Sequence, residues 1–203
     1  MKKYEKARKL KTEITRIRNN YLDKLSSKTP YDRQLGTVTY FIDKLALRVG
    51  NEKNDDEEAD TVGCCSLRVE HVELLPDNQV KFDFLGKDSM RYENTVFVSP
   101  QVYSNLKQFL SNKKDEDDLF DQINPSRLND YLSSLMDGLT AKVFRTFNAS
   151  FTLDNELNEH TVESELSQEE KYKYYNEANK KVAILCNHQK TVNKDFDQKL
   201  EKY

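Results

Sequence analysis

The chain has 203 residues, 36% hydrophobic, 10% aromatic and 33% charged, which is one large domain or two small ones with material for a real core. Its 11 Tyr and 10 Phe exclude wholesale disorder, five Gly and four Pro argue against a turn-rich β-sandwich or barrel, and no apolar run approaches the roughly 18 residues that span a membrane. The net charge of −3 hides a segregation, since residues 1–26 carry nine basic against three acidic side chains, 154–170 carry seven carboxylates and no Lys or Arg, and 171–203 carry eight basic against four acidic. Such sorting can offer one positive face to a polyanion, and a solvated helix face gives the same pattern.

In chain order, Ala7, Leu10, Ile14, Ile17, Tyr21 and Leu25 recur at spacings of three and four and predict a lead helix over 1–26, with Pro30 beyond its end. A second helix over 33–48 places Val38, Phe41, Ile42 and Leu45 on one stripe, with Gly50 as its cap. Asn51–Asp60 reads as an acidic loop. The period then shortens to two in Val80-Lys81-Phe82-Asp83-Phe84, which predicts a hairpin over 80–98 with Gly86–Ser89 as its turn and Lys87 at the tip. Ser99-Pro100 and Asn124-Pro125 are N-cap and N1 pairs that open two more helices. Helices over 140–153 (Val143, Phe144, Phe147, Phe151) and 169–187 (Tyr172, Tyr175, Ala178, Val182, Leu185) follow, separated by an acidic gap. The expectation is a mainly α, α+β fold with a small antiparallel sheet.

Met1–Glu5 lack an apolar stretch, and the odd set of Cys64, Cys65 and Cys186 is no disulfide framework, so an intracellular, reducing location is expected. No Cys or His pair has zinc spacing, so no metal and no cofactor is expected. No Ser-His-Asp set or Gly-rich phosphate loop is present either. What remains are isolated cations in apolar segments: Arg48 at the end of the second helix, Lys87 on the hairpin, Lys142 and Arg145 one turn apart, and His188 after Ala183–Asn187. Each alone has an ordinary reading as a snorkelling Arg, a turn Lys or a helix-end His.

Their surroundings are more specific. Tyr40–Lys53 (YFIDKLALRVGNEK), Ala59–Arg68 (ADTVGCCSLR), Phe82–Ser89 (FDFLGKDS), Thr140–Ser150 (TAKVFRTFNAS) and Val182–Gln189 (VAILCNHQ) occur in that order. Together they closely resemble the eukaryotic type IB DNA topoisomerases. The resemblance implies the DNA breaking-rejoining catalytic-core fold over 1–189, with 190–203 opening a helical linker. It implies relaxation of supercoiled duplex DNA by cutting one strand, without ATP, through a 3′-phosphotyrosine that the freed 5′-hydroxyl later reverses. Arg48, Lys87, Arg145 and His188 match the catalytic set, and Asn51, Lys53, Thr61, Asp88 and Lys142 match segments that contact DNA.

The chemistry explains these residue types. A phosphorane gathers charge on its non-bridging oxygens, and without a metal ion protein cations must meet it. Two guanidiniums stay charged and offer fixed donor forks. Lys87 is the expected general acid for the departing 5′-oxygen, because that group must release a proton and Arg cannot. A helix C-terminus near His188 predicts a protonated ring.

The resemblance also implies a nucleophilic tyrosine in a further C-terminal domain and N-terminal cap domains, so these residues alone are expected not to cleave DNA. The partners implied are duplex DNA and those further domains, in a nuclear monomer. Asn20-Tyr21-Leu22-Asp23 looks like the family's nucleophile motif, but Tyr21 falls on the apolar stripe of the lead helix and belongs in the core. Two other readings stand beside this one, a tyrosine recombinase or integrase core and a DNA-binding module without activity.

Overall fold

A computed structural model describes residues 2–50, 60–159 and 166–188. Among them are six helices, α1 (Lys2–Leu25), α2 (Pro30–Leu45), α3 (Pro100–Leu110), α4 (Pro125–Leu135), α5 (Ala141–Glu159) and α6 (Gln168–Leu185), with strands β1 (Val72–Leu75), β2 (Gln79–Leu85) and β3 (Arg91–Phe97). The fold is therefore mainly α with a small antiparallel sheet, as the periodicity predicts.

Helix α1 lies along α2 and α5. Its six stripe residues, from Ala7 to Leu25, are all buried, and Tyr21 is fully buried with Ile17 and Leu10. The Tyr21 hydroxyl donates to Asp43 Oδ2 at 2.7 Å, and Arg18 grips both oxygens of the same carboxylate at 2.7 and 3.0 Å. Burial, with the Asp43 carboxylate adding to it, raises the Tyr21 phenol above its ordinary range. Tyr21 is thus a core residue bolting α1 to α2.

Thr29 accepts from the Asp32 N–H with Pro30 in the first turn, so α2 starts three residues earlier than expected. It also ends earlier. Ala46 turns left-handed (φ 50°) and caps the helix, so Gly50 does not, and Arg48 lies on extended chain beyond it. That chain pairs with the following segment, where Cys64 N–H donates to Arg48 O (2.8 Å) and Cys65 N–H to Val49 O (2.9 Å). The approach is so close that a Cβ on Gly63 would lie 2.2 Å from Gly50 Cα.

The sheet has the order β1-β2-β3. Val80, Phe82 and Phe84 of β2 face inward, and Phe82 meets Phe41 of α2 edge to face at 5.1 Å. Strand β1 was not visible in the sequence, because Val72-Glu73-Leu74-Leu75 is too short for alternation to show. Helix α5 runs six residues past its expected end. Ser167 and Glu170 form a reciprocal capping box at the start of α6. Tyr172 and Tyr175, expected in the core, are 69% and 44% exposed, and Phe151 is 43% exposed. Helix α6 instead packs on α5 with Ala178 as its buried contact.

At the crossing of α1 and α2, a Cβ on Gly36 would meet Tyr21 O at 2.8 Å. Gly36→Ala is expected to lower the unfolding free energy in urea by about 1–3 kcal/mol through overpacking. An unchanged midpoint would contradict this close crossing.

Candidate active site

Four elements end around one open cavity of about 240 Å³. The α2 terminus brings Ala46, Leu47 and Arg48, the 60s segment brings Val62 and Gly63, the hairpin brings Gly86, Lys87, Asp88 and Met90, and α6 ends with Cys186, Asn187 and His188. Arg145 reaches in from α5. The space is smaller than clefts that hold drug-sized ligands, and it suits one charged group on a larger molecule. Arg48, Lys87, Arg145 and His188, which lie far apart in sequence, thus share one lining.

Arg145 is held from two sides. On α5 it shares a face with Ala141 and Asn148. Its Nη1 donates to Ala46 O at 2.5 Å, and its Nη2 donates to Cys186 O. Asn148, one turn on, donates to Asp43 O at 2.5 Å. These side chains satisfy carbonyls that the end of α2 leaves without helical partners. The guanidinium also sits where the negative ends of α2 and α6 converge. Three of its five N–H groups remain for a ligand.

Lys87 lies in a short 3₁₀ turn between β2 and β3, with Asp88 and Ser89 left-handed at φ 61° and 56°. Two successive non-glycine residues there cost roughly 1–2 kcal/mol each, so contacts at the stem must hold the tip. Gly86 N–H donates to Met90 O (2.8 Å) and closes the turn. Lys87 and Asp88 are both exposed to solvent at the rim.

The electrostatics are lopsided. Among the described residues, Arg48, Lys87 and Arg145 face the cavity against one carboxylate, Asp88. Arg145 is drawn below its ordinary range by burial, with Arg48 acting the same way and Cys186 opposing. His188 is drawn down too, by burial first and then by Arg145 and Arg48. This corrects the expectation of a protonated ring, because the cavity's cations oppose the helix terminus.

Of the remaining sites, Asp88 lines the cavity and Thr61 precedes its wall at Val62, half-buried. Lys142 is exposed on α5 and is not in the lining. Asn51 and Lys53 lie outside the described residues. The sequence reading missed Asn148 and Asn187. Both are neutral amides, which no charge or periodicity argument singles out. Asp43 did leave a trace, as a carboxylate inside Phe41-Ile42-Asp43.

The family model of the eukaryotic DNA topoisomerase I catalytic core matches residues 1–203. The chain belongs to that family. It is 55% identical to DNA topoisomerase 1 of Schizosaccharomyces pombe over 204 residues, covering all of this chain and 25% of that protein. It is 55% identical to the Homo sapiens DNA topoisomerase 1 over 203 residues (98% of this chain, 26% of that protein) and 54% identical to DNA topoisomerase 1 alpha of Arabidopsis thaliana over 200 (98% and 22%). This topoisomerase core therefore spans about a quarter of the length of the curated relatives it matches.

The His188 ring is expected to titrate below its ordinary value of about 6.5 in the free core. A depressed value means the fold binds fewer protons than the unfolded chain, so stability is lost as pH falls from about 6.5 through the lower folded value. Imidazole NMR should give this midpoint. A value at or above 6.5 would contradict the cationic enclosure.

Proposed function

We propose that this chain supplies the phosphate-activating part of a type IB DNA topoisomerase that relaxes supercoiled duplex DNA in the nucleus. The observation carrying this reading is the shared cavity of Arg48, Lys87, Arg145 and His188, with one opposing carboxylate. A tyrosine hydroxyl, brought by polypeptide outside these residues, attacks the scissile phosphorus. Arg48, Arg145 and His188 donate to the non-bridging oxygens as their charge grows. The phosphorus–O5′ bond breaks, the Lys87 ammonium gives its proton to O5′, and the tyrosine's proton passes to water. Attack by the 5′-hydroxyl on the phosphotyrosine reverses each transfer and reseals the strand.

Several features favour this chemistry over simple binding. The charge asymmetry makes the cavity a poor place for cations and a good one for a phosphodiester. Exposed Lys87 at a hairpin tip can approach a bridging oxygen while the half-buried Arg145 is held by two carbonyls. Tyr92, the tyrosine lining the cavity among the described residues, is buried, and burial raises its phenol, so it is a poor nucleophile. Thr61 and Lys142, with Asn51 and Lys53, contact the duplex around the break and give affinity that does not depend on base sequence, and Asp88 lies beside the +1 base pair. The assembled enzyme acts as a monomer with its cap and tyrosine domains.

Arg48→Ala tests this directly, because it leaves the Arg145 clamp in place. In the full polypeptide that carries these residues, the rate of covalent adduct formation on duplex DNA should fall on the order of 10²–10³ with DNA affinity nearly unchanged. Equal losses of rate and affinity would support the binding-module reading instead.

A further inference from the structure

The Lys87 turn is gripped at its base. Leu85 and Arg91 form the last rung of the β2–β3 pairing, and each strand is tied there to a different part of the cavity wall. On the β2 side, Val62 N–H donates to Leu85 O at 2.8 Å. On the β3 side, the Asn187 side-chain Nδ2 donates to Arg91 O at 3.3 Å, across 96 positions of sequence. Asn187 itself has little freedom. Its N–H donates to Ile184 O (3.0 Å), the next residue's N–H donates to Ala183 O (2.8 Å), and the carbonyl before it receives Arg145. Asn187 is left-handed, with φ 48°.

From this placement we infer that Asn187 is a positioning residue that sets the Lys87 tip against the Arg145 and His188 wall. The residue joins two halves of the site that otherwise sit on separate elements, a hairpin and the end of α6. Its side-chain amide donates to the Arg91 carbonyl at the stem. It acts through Lys87, so the inference rests on the reading of Lys87 as general acid. Displacing a catalytic group by about 1 Å can cost on the order of 10² in rate. Loosening one of two stem ties should cost less, about tenfold.

The test uses the leaving group. A 5′-thiolate departs without a proton, so a duplex with sulfur in place of the bridging 5′-oxygen at the scissile link does not need a general acid. Asn187→Gly removes the side chain and keeps the left-handed backbone free of strain. Asn187→Leu keeps the size, adds no charge and removes the donor, and it serves if the glycine variant does not fold. In the full polypeptide, either variant should form adduct about tenfold more slowly on the oxygen substrate and at the parent rate on the sulfur substrate. DNA affinity should stay within about twofold. Equal slowing on both substrates, or no slowing on either, overturns the role of Asn187. Lys87→Ala runs alongside and should be slowed by a factor on the order of 10²–10⁴ on oxygen and rescued by sulfur. Failure of that rescue overturns the reading of Lys87 and the inference with it.

Discussion

The site depends on one guanidinium placed between two helix ends. Arg145 donates to Ala46 O at the close of α2 and to Cys186 O at the close of α6, so one side chain from α5 fixes where Arg48 and His188 begin. Carbonyls at helix ends need partners, and a cation is the partner that also meets their partial negative charge. Asn148 repeats the device one turn away on Asp43 O, whose carboxylate is in turn held by Arg18 and Tyr21 of α1. The chain of contacts runs from the most buried part of the core to the cavity lining. Arg145 is thus a structural strut that still has donors to spare.

The same arrangement creates an electrostatic demand. Arg48, Lys87, Arg145 and His188 face one space with Asp88 as the single carboxylate in the lining among the described residues. Arg145 and His188 respond as groups in a desolvated cationic enclosure should, both shifting toward their neutral forms. On the proposed reading a phosphodiester relieves that repulsion on entry, and the developing phosphorane relieves it further. A phosphate dianion or monoanion beside His188 would oppose the lowering that burial, Arg145 and Arg48 impose on its ring. The hairpin adds a proton donor to this wall, because Lys87 sits at an exposed tip whose next two residues are left-handed.

Much of this was legible in the chain itself. The stripe from Ala7 to Leu25 and the alternation in Val80–Phe84 report burial directly, and both the lead helix and the hairpin stand where those periods put them. The Ser-Pro and Asn-Pro pairs marked the starts of α3 and α4 for a local reason, as did Tyr21's place in the core. Errors arose where tertiary contacts decide. Ala46 ends α2 because Arg145 and Asn148 take its last carbonyls, and no residue near Ala46 announces that. Tyr172 and Tyr175 have helical spacing, but α6 packs chiefly on α5, and their face stays in solvent. The His188 ring followed its burial and then the cations rather than its helix terminus, since Arg145 and Arg48 approach it from other elements. Amide residues such as Asn187 carry neither charge nor period and emerge only from coordinates.

The central claim is that these four side chains converge on one phosphodiester. A crystal structure of this chain with a short duplex tests it most directly. The account predicts one backbone phosphate in the cavity, its non-bridging oxygens within hydrogen-bond distance of Arg48, Arg145 and His188, and Lys87 Nζ beside a bridging oxygen. A duplex bound on another face, with no phosphate among those side chains, would contradict it.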